Sequence, residues 1–476
     1  MDFLKLVTEN EVSKINDSAL KVLEHTGFCV KDGEALSLFK KAGAEVDEKK
    51  EVVKIPKEIV LNAIKTMPKK LTLYGKKNSK VELGQGNVYF MNGYGSVNVF
   101  DWQTRTRRPN TIKDLENFCR VIDKMENNSV FYNEVTPQEI DAAVLDRHNA
   151  SVVLEFNEKP VFLEIYSVEG LKDIVKMIEA ISGPGWKTKP ICAFQLCGIT
   201  PLLLDNLRTQ LLMEVAKIGA PIVFGTLPQT CGTAPASLVG TIVVQTAETL
   251  GALTLSQLIN PGVPFILNNF AAAMDQKYGV FASGGPEMPL MQGLTAQMCR
   301  FYGMPQIGTA GSTESNFFDV QAGYEKSMST LFAALAGVEL IHGAMSGWVQ
   351  SVLSHSLAAV VVSNEICGYV KRILNGVKVN DDTLALDVIH EVGPGGNFLM
   401  NPHTLKYFRS EIWEPTISKR LTPAEWENQG MKGVMDYAQD KVNRILADEP
   451  VSYISDDAKG IIAEIVKKSD RELAKK

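Results

Sequence analysis

From residue 101 onward the chain repeats one pattern: a short, largely apolar run, in several cases led in by Pro or Gly, and then a helical stretch. The runs are VFYNEV at 130–135, PVFLEIY at 160–166, PICAFQL at 190–196 and PIVFGTL at 221–227. PFILNNF at 264–270, MPQIGTAG at 304–311 and VELIHGA at 338–344 follow. Between them lie helical stretches such as 205–218, 237–257 and 319–336. A strand that is apolar throughout is one buried on both faces, which parallel sheets covered by helices require. Seven units, with an eighth strand expected near 385–392, predict a (β/α)8 barrel rather than an open sheet. No GxGxxG follows the first strand, which counts against a dinucleotide fold.

Residues 1–100 read differently. Ile15, Ala19, Val22 and Leu23 make one apolar stripe, and Ala35, Leu36, Leu38 and Phe39 the next, with Gly27 and Gly43 as punctuation. From 71 to 102, LTLYGKK, VELGQGNVYF and GSVNVFDW alternate like strands broken by turns. This predicts a mixed α/β extension at 1–100, the barrel at 101–421 and a charged helical tail at 422–476. That tail is expected on the surface or in an interface between copies.

A net charge of -6 gives no support to nucleic-acid binding. Every apolar run is interrupted by charges, Gly or Pro, so no membrane span is expected. The start is acidic and helical rather than signal-like, which makes a cytoplasmic location the expectation. The seven cysteines form no CxxC pair and the six His residues no HxxxH or HExxH, so neither a disulfide framework nor a metal site of the chain's own is expected.

In a barrel, chemistry belongs to the carboxyl ends of the strands and the loops after them. Those positions hold Glu134, Glu164, Gln195, Gln229, Asn268, Asn269, Phe270, Ser312, Glu314, His342 and Gln350, with Phe318 and Trp348 in adjacent loops. Aromatic rings suit an onium group, which neither donates nor accepts a hydrogen bond and is held by cation–π attraction. Amides suit a carboxylate, and Glu134, Glu164 or Glu314 would supplement the rings' hold on the onium with a full charge. Taken singly each residue reads as ordinary packing; the cluster is what points to a site. Phe318 and Trp348, with Tyr94 or Phe270, are expected around an onium, and Gln350, His342 and Asn268 on a carboxylate or methyl. The GPGG at 393–396 is a turn, or a loop whose backbone N–H groups meet an anion.

Several long strings resemble the trimethylamine methyltransferase superfamily. They are ALKVLEHTGFCV and KKAGAEVD near the start, then VNVFDWQTRTRRPNTIKDL and GTAGSTESNFFDVQAGYEK. Near the end comes LALDVIHEVGPGGNFLMNPHTLKYFRSEIWEP. The resemblance runs end to end. It implies a barrel enzyme passing a methyl group from a methylated amine to a corrinoid (cobalamin) carried by a separate small protein. It also implies a homo-oligomer and gives Gly393, Gly395 and Gly396 a corrinoid side chain to meet. Archaeal relatives carry pyrrolysine in the barrel; this chain has none, and AGSTES, at or next to Ser312, resembles that place. Chains of the non-pyrrolysine kind are similar to enzymes that demethylate quaternary amines such as glycine betaine, proline betaine, carnitine and γ-butyrobetaine. That substrate class makes physical sense, because a quaternary ammonium expels a neutral tertiary amine and needs no prior activation. The alternatives are a tertiary-amine methyltransferase of the same fold and a betaine-binding subunit without catalysis.

Overall fold

The computed structural model describes residues 3–473. Eight parallel strands close a barrel: β1 (Tyr89–Met91), β2 (Asn128–Tyr132), β3 (Val161–Glu164), β4 (Cys192–Cys197), β5 (Ile222–Thr226), β6 (Phe265–Asn269), β7 (Gln306–Thr309) and β8 (Leu340–His342). Each strand pairs with its successor, and β8 pairs with β1, placing His342 opposite Met91. The seven apolar runs of the sequence are β2 to β8.

The eighth strand is not where the pattern suggested. Residues Leu386–Val392 form an exposed helix, and the barrel is completed by β1, from the stretch read as the extension. Once β1 has paired with β8 no sheet edge is left for another strand. Leu386 and Ile389, three residues apart, follow helical spacing.

The barrel interior is packed with side chains, among them Val130, Phe162, Val223, Ile266, Ile307 and Leu340. A hairpin of Leu71–Tyr74 and Lys80–Leu83 plugs the amino-terminal end of the barrel by adding Leu73, Val81 and Leu83 to that core. Its following turn is fixed by Glu339, at the foot of β8. The Glu339 carboxylate accepts the N–H groups of Gly84 (2.9 Å), Gln85 (3.1 Å) and Gly86 (3.2 Å).

Helices surround the barrel. Leu238–Ile259 has the length and apolarity of a membrane span, contrary to the expectation from sequence, but most of it is buried against the barrel and the N-terminal helices. The outer helices used below are α1 (Val320–Leu335), α2 (Leu357–Leu374), α3 (Leu386–Val392), α4 (Pro402–Glu411), α5 (Val434–Ala447) and α6 (Asp456–Leu473). Helix α5 packs on α2, and α6 packs on the helices Leu145–Phe156 and Val168–Ser182. The charged tail therefore docks onto its own chain, burying Met435, Ala438, Val442, Ala458 and Ile462.

Candidate active site

The strand ends deliver their side chains to one cavity of about 300 Å³. Tyr94 and Gly95 reach it from the loop after β1, Cys197 from β4, Leu227 and Phe270 from the loops after β5 and β6, Thr309 from β7 and His342 from β8. Trp348, Ser312, Phe281, Ser283, Met288 and Val352 complete the wall. The opening lies at the carboxyl ends of the strands, where barrels carry their chemistry.

Aromatic rings enclose His342. The ring of Phe270 meets it edge-on at 5.2 Å between centroids, Trp348 at 5.1 Å, and Tyr132 lies tilted at 5.5 Å. Tyr94 stacks on Tyr132 at 4.8 Å. Glycines make the room. A Cβ on Gly93 would lie 2.2 Å from the Trp348 ring, one on Gly343 2.3 Å from it, and one on Gly225 2.7 Å from Phe270. Real side chains do not approach that closely, so these rings occupy the mouth only because the strands end in glycine.

Burial pushes His342 down to about 3, so the imidazole is neutral at any ordinary pH. Its Nδ1 lies 3.3 Å from the Thr309 hydroxyl, which itself donates to the Asn269 carbonyl at 2.8 Å. Having one proton, that hydroxyl can only accept from the imidazole, which assigns the hydrogen to Nδ1. The Nε2 lone pair is buried without a protein partner, as is the Trp348 indole N–H. Unanswered buried polar atoms are rare and mark places where a ligand or water belongs.

Two carboxyl groups back the cavity, Glu134 fully buried and Glu164 partly so. Glu164 accepts from the Tyr166 hydroxyl at 2.8 Å and from the phenols of Tyr94 and Tyr132; burial raises it to about 7 against the pull of those donors. The Glu164 carboxylate in turn holds the Tyr94 phenol far above its usual range. Glu134 accepts the N–H groups of Gly93 (2.9 Å) and Gly347 (2.7 Å), the segments that frame Trp348. Burial raises the Glu134 carboxyl and lowers the nearby Lys326 ammonium, which donates to the carbonyls of Gly311 and Ser346.

Ser312 connects the cavity to a third carboxyl. Its hydroxyl lies 2.7 Å from that of Ser283, which donates to Glu314 at 2.9 Å. Glu314 is therefore one hydroxyl behind the wall and not in it; burial raises its carboxyl. Beside Ser312, the loop Gln350–Val352 runs through three consecutive residues with φ of 59°, 52° and 77°. For a β-branched residue such as Val352 this is a strained backbone, and strain of that kind gathers at functional sites.

Of the residues singled out in the sequence, His342, Ser312, Tyr94, Phe270 and Trp348 come together at this cavity. Asn268 is buried below it, donating to Gln195 at 3.0 Å. Gln350 turns outward, with the Ser354 hydroxyl at 2.7 Å and Arg107 at 3.5 Å. Phe318 lines a different groove, between α1 and α2. Gly393, Gly395 and Gly396 stand in an exposed segment that contributes nothing to the cavity wall, and their turn closes on itself through Ile389 and Gly393. Tyr132, Thr309, Phe281, Ser283 and the spacing glycines Gly93 and Gly225 were not singled out, whereas the small residues of GAMSG, beginning at Gly343, do read as room for something bulky. A glycine whose purpose is to admit a ring some 250 positions away leaves no local signal.

A family model described as trimethylamine methyltransferase matches residues 1–474. The chain belongs to that family. It is 32% identical over 435 residues to a trimethylamine methyltransferase of Desulfitobacterium hafniense, covering 91% of this chain and 86% of the relative. It is 31% identical over 432 residues to a glycine betaine methyltransferase of another strain of that species, covering 90% and 89%. A trimethylamine methyltransferase of Methanosarcina barkeri is 31% identical over 480 residues, covering 98% and 96%. The solved MtmB–hydroxylamine complex superposes with a TM-score of 0.50 at 14% identity over 92% of this chain and 94% of that one, which shows a shared fold. As a member of the trimethylamine methyltransferase family, this chain is an enzyme of methyl transfer.

Proposed function

We propose that the enzyme takes a methyl group from a small quaternary amine of the betaine type and passes it to the Co(I) corrinoid of a partner protein. The observation that carries the substrate class is the aromatic cavity itself. Tyr94, Phe270 and Trp348 offer ring faces and edges around a neutral imidazole, with no lysine or arginine in the wall among the described residues. A quaternary nitrogen has no hydrogen-bond partner to satisfy, and such rings hold it by cation–π attraction. The volume, at the lower end of the ~300–1,000 Å³ usual for small-molecule sites, suits a compact ligand. A glycine betaine methyltransferase among the relatives supports the same class.

The residues present fit a corrinoid brought from outside. The cavity opens beyond the strand ends, and its wall is mostly carbon, so a flat macrocycle can approach without displacing a charged group. When bound, that group supplies a reduced cobalt nucleophile that accepts the methyl. The rest falls to this chain. Trp348 and Phe270 exclude water and hold the onium, and Thr309 fixes the His342 tautomer so that Nε2 presents a lone pair to the polarised methyl hydrogens. The anionic form of Glu164, hydrogen-bonded to Tyr94, places negative charge behind one ring. No proton has to move, because the departing tertiary amine is neutral.

The test is anaerobic methylation of Co(I) cobalamin, followed by absorbance, with glycine betaine, proline betaine, carnitine, γ-butyrobetaine, choline and trimethylamine offered separately. Transfer from one quaternary amine and none from trimethylamine is the expected result. Transfer from trimethylamine alone would overturn the substrate class in favour of a tertiary amine, which two of the relatives just described act on by name.

A further inference from the structure

Four glycines build the frame of Trp348. Gly93 and Gly343 lie against the indole ring, Gly347 precedes it in the chain, and Gly311, at a φ of +71°, packs its backbone on Gly343. A Cβ on Gly311 would stand 2.6 Å from the Gly343 carbonyl oxygen. Glycine admits the ring, but it gives packing no side chain to grip and leaves the backbone at its freest. The barrel ladder ends too early to help: its last pairs here are Thr309 with His342 and His342 with Met91. Trp348 itself belongs to a small separate sheet, paired with His355.

Two charged side chains tie that sheet to the strand ends. Glu134, two residues past β2, and Lys326, on α1, are 0 and 1% exposed. One oxygen of the Glu134 carboxylate accepts the Gly93 N–H at 2.9 Å and the other the Gly347 N–H at 2.7 Å. The end of β1 is thereby bridged to the residue before Trp348. The Lys326 ammonium donates to the Gly311 carbonyl, next to Ser312, and to the carbonyl and hydroxyl of Ser346, both at 3.2 Å. Ser363 on α2 donates to the same Ser346 carbonyl at 2.7 Å. The ends of β1, β2, β7 and β8 are thus joined through two side chains, and neither of them lines the cavity. Taking such charges out of water is costly, and apolar side chains of similar volume are often the more stable choice. What the pair adds is placement.

We propose that Glu134 and Lys326 are positioning residues for methyl transfer, fixing Trp348 and Ser312 against His342 without touching the substrate. The assignment rests on the cavity at the barrel mouth being the place of transfer. Its hydrogen bonds are ones that only charged groups can make in this number: two accepted by one carboxylate and three donated by one ammonium. Gln at 134 keeps a single accepting oxygen, so the two-oxygen bridge between Gly93 and Gly347 is broken; Met at 326 donates nothing. A shift of about 1 Å in a positioned site costs on the order of 100-fold in rate.

Glu134→Gln, Lys326→Met and the two together separate placement from stability. Each single variant is expected to lower the denaturant midpoint, because one buried charge loses its counterpart. The double variant is expected to regain most of that midpoint but not the turnover, with kcat for methylation of Co(I) cobalamin staying at least ~30-fold below wild type. Trp348 fluorescence gives a reading that needs no substrate. Taken as the difference between each protein and the same protein carrying Trp348→Phe, it is expected to shift in the double variant while far-UV circular dichroism does not. Glu339→Ala, at the foot of the barrel, is the destabilised control, expected to keep wild-type fluorescence and turnover. A double variant that recovers turnover along with its midpoint overturns the proposal. So does a folded single variant with wild-type turnover, or unchanged Trp348 fluorescence in the double variant. Should the wild type use trimethylamine alone, the quaternary-amine reading falls and the same comparison is made with that donor. Should it use no donor in the panel, Trp348 fluorescence decides alone, a shift supporting the assignment and its absence overturning it.

Discussion

The two ends of the barrel use buried acid groups in opposite ways. At the foot, Glu339 gathers the N–H groups of the turn at Gly84–Gly86 and locks the hairpin plug, so its charge is spent on the protein's own backbone. At the mouth, Glu164 is surrounded by phenols, one of which, Tyr94, lines the cavity, and the neighbouring His342 Nε2 and Trp348 N–H have no protein partner. Foot and mouth are made of the same strands. The difference teaches that the reaction end is recognised by what the protein leaves unanswered.

Substitutions at the two ends should therefore separate. The largest effect belongs to the mouth: Gly343→Ala puts a Cβ 2.3 Å from Trp348, at a φ of +85°, and forces the ring to move. A displacement of about 1 Å in a positioned site costs on the order of 100-fold in rate, and kcat/KM for methyl transfer is expected to fall at least that far. At the foot, Glu339→Ala is expected to lower unfolding free energy by about 2 kcal/mol in a denaturant titration and leave transfer by the folded protein unchanged. Equal loss of transfer in both variants would erase the contrast.

A finer separation comes from pH. With burial holding the Glu164 carboxyl at about 7, the anion predominates above that pH and the neutral acid below it. Affinity for a quaternary amine is expected to rise between pH 6 and pH 8, by roughly tenfold at an effective dielectric of ~20. Glu164→Gln should flatten that rise and match the wild type at the acid end. His342, already neutral, adds no inflection there. The smallest effect is expected at Phe318→Leu, which lies outside the cavity: about 1 kcal/mol of stability and no change in kcat/KM.

Much of the foot and mouth could be read from the sequence, and the reasons are local. Apolar runs, several of them led in by Pro or Gly, announced β2 to β8; their carboxyl ends marked His342 and Phe270, and the loop after β8 marked Trp348. Strand β1 falls at the end of VELGQGNVYF, a segment that reads as strand, but its place in the barrel was hidden because it is three residues long and lies before the repeating pattern begins. Phe270 stands directly after its strand, whereas Phe318 lies nine residues past the end of β7, just ahead of α1, and its side chain lines the α1–α2 groove. The stretch at 385–392 looked like a strand because its apolar residues are dense; nothing in sequence says that an exposed helix will carry them into solvent.

The position of β1 sets an order on how this protein can be made. Its partner β8 lies some 250 residues further along the chain, so during synthesis the ring stays an open sheet with two free edges until residue 342 has left the ribosome. Joining ends so distant in sequence carries a loop-closure cost that grows only slowly with length, but it delays the event. The reaction pocket, whose wall takes Tyr94 from one edge and His342 from the other, is thus among the last features of the nascent chain to exist.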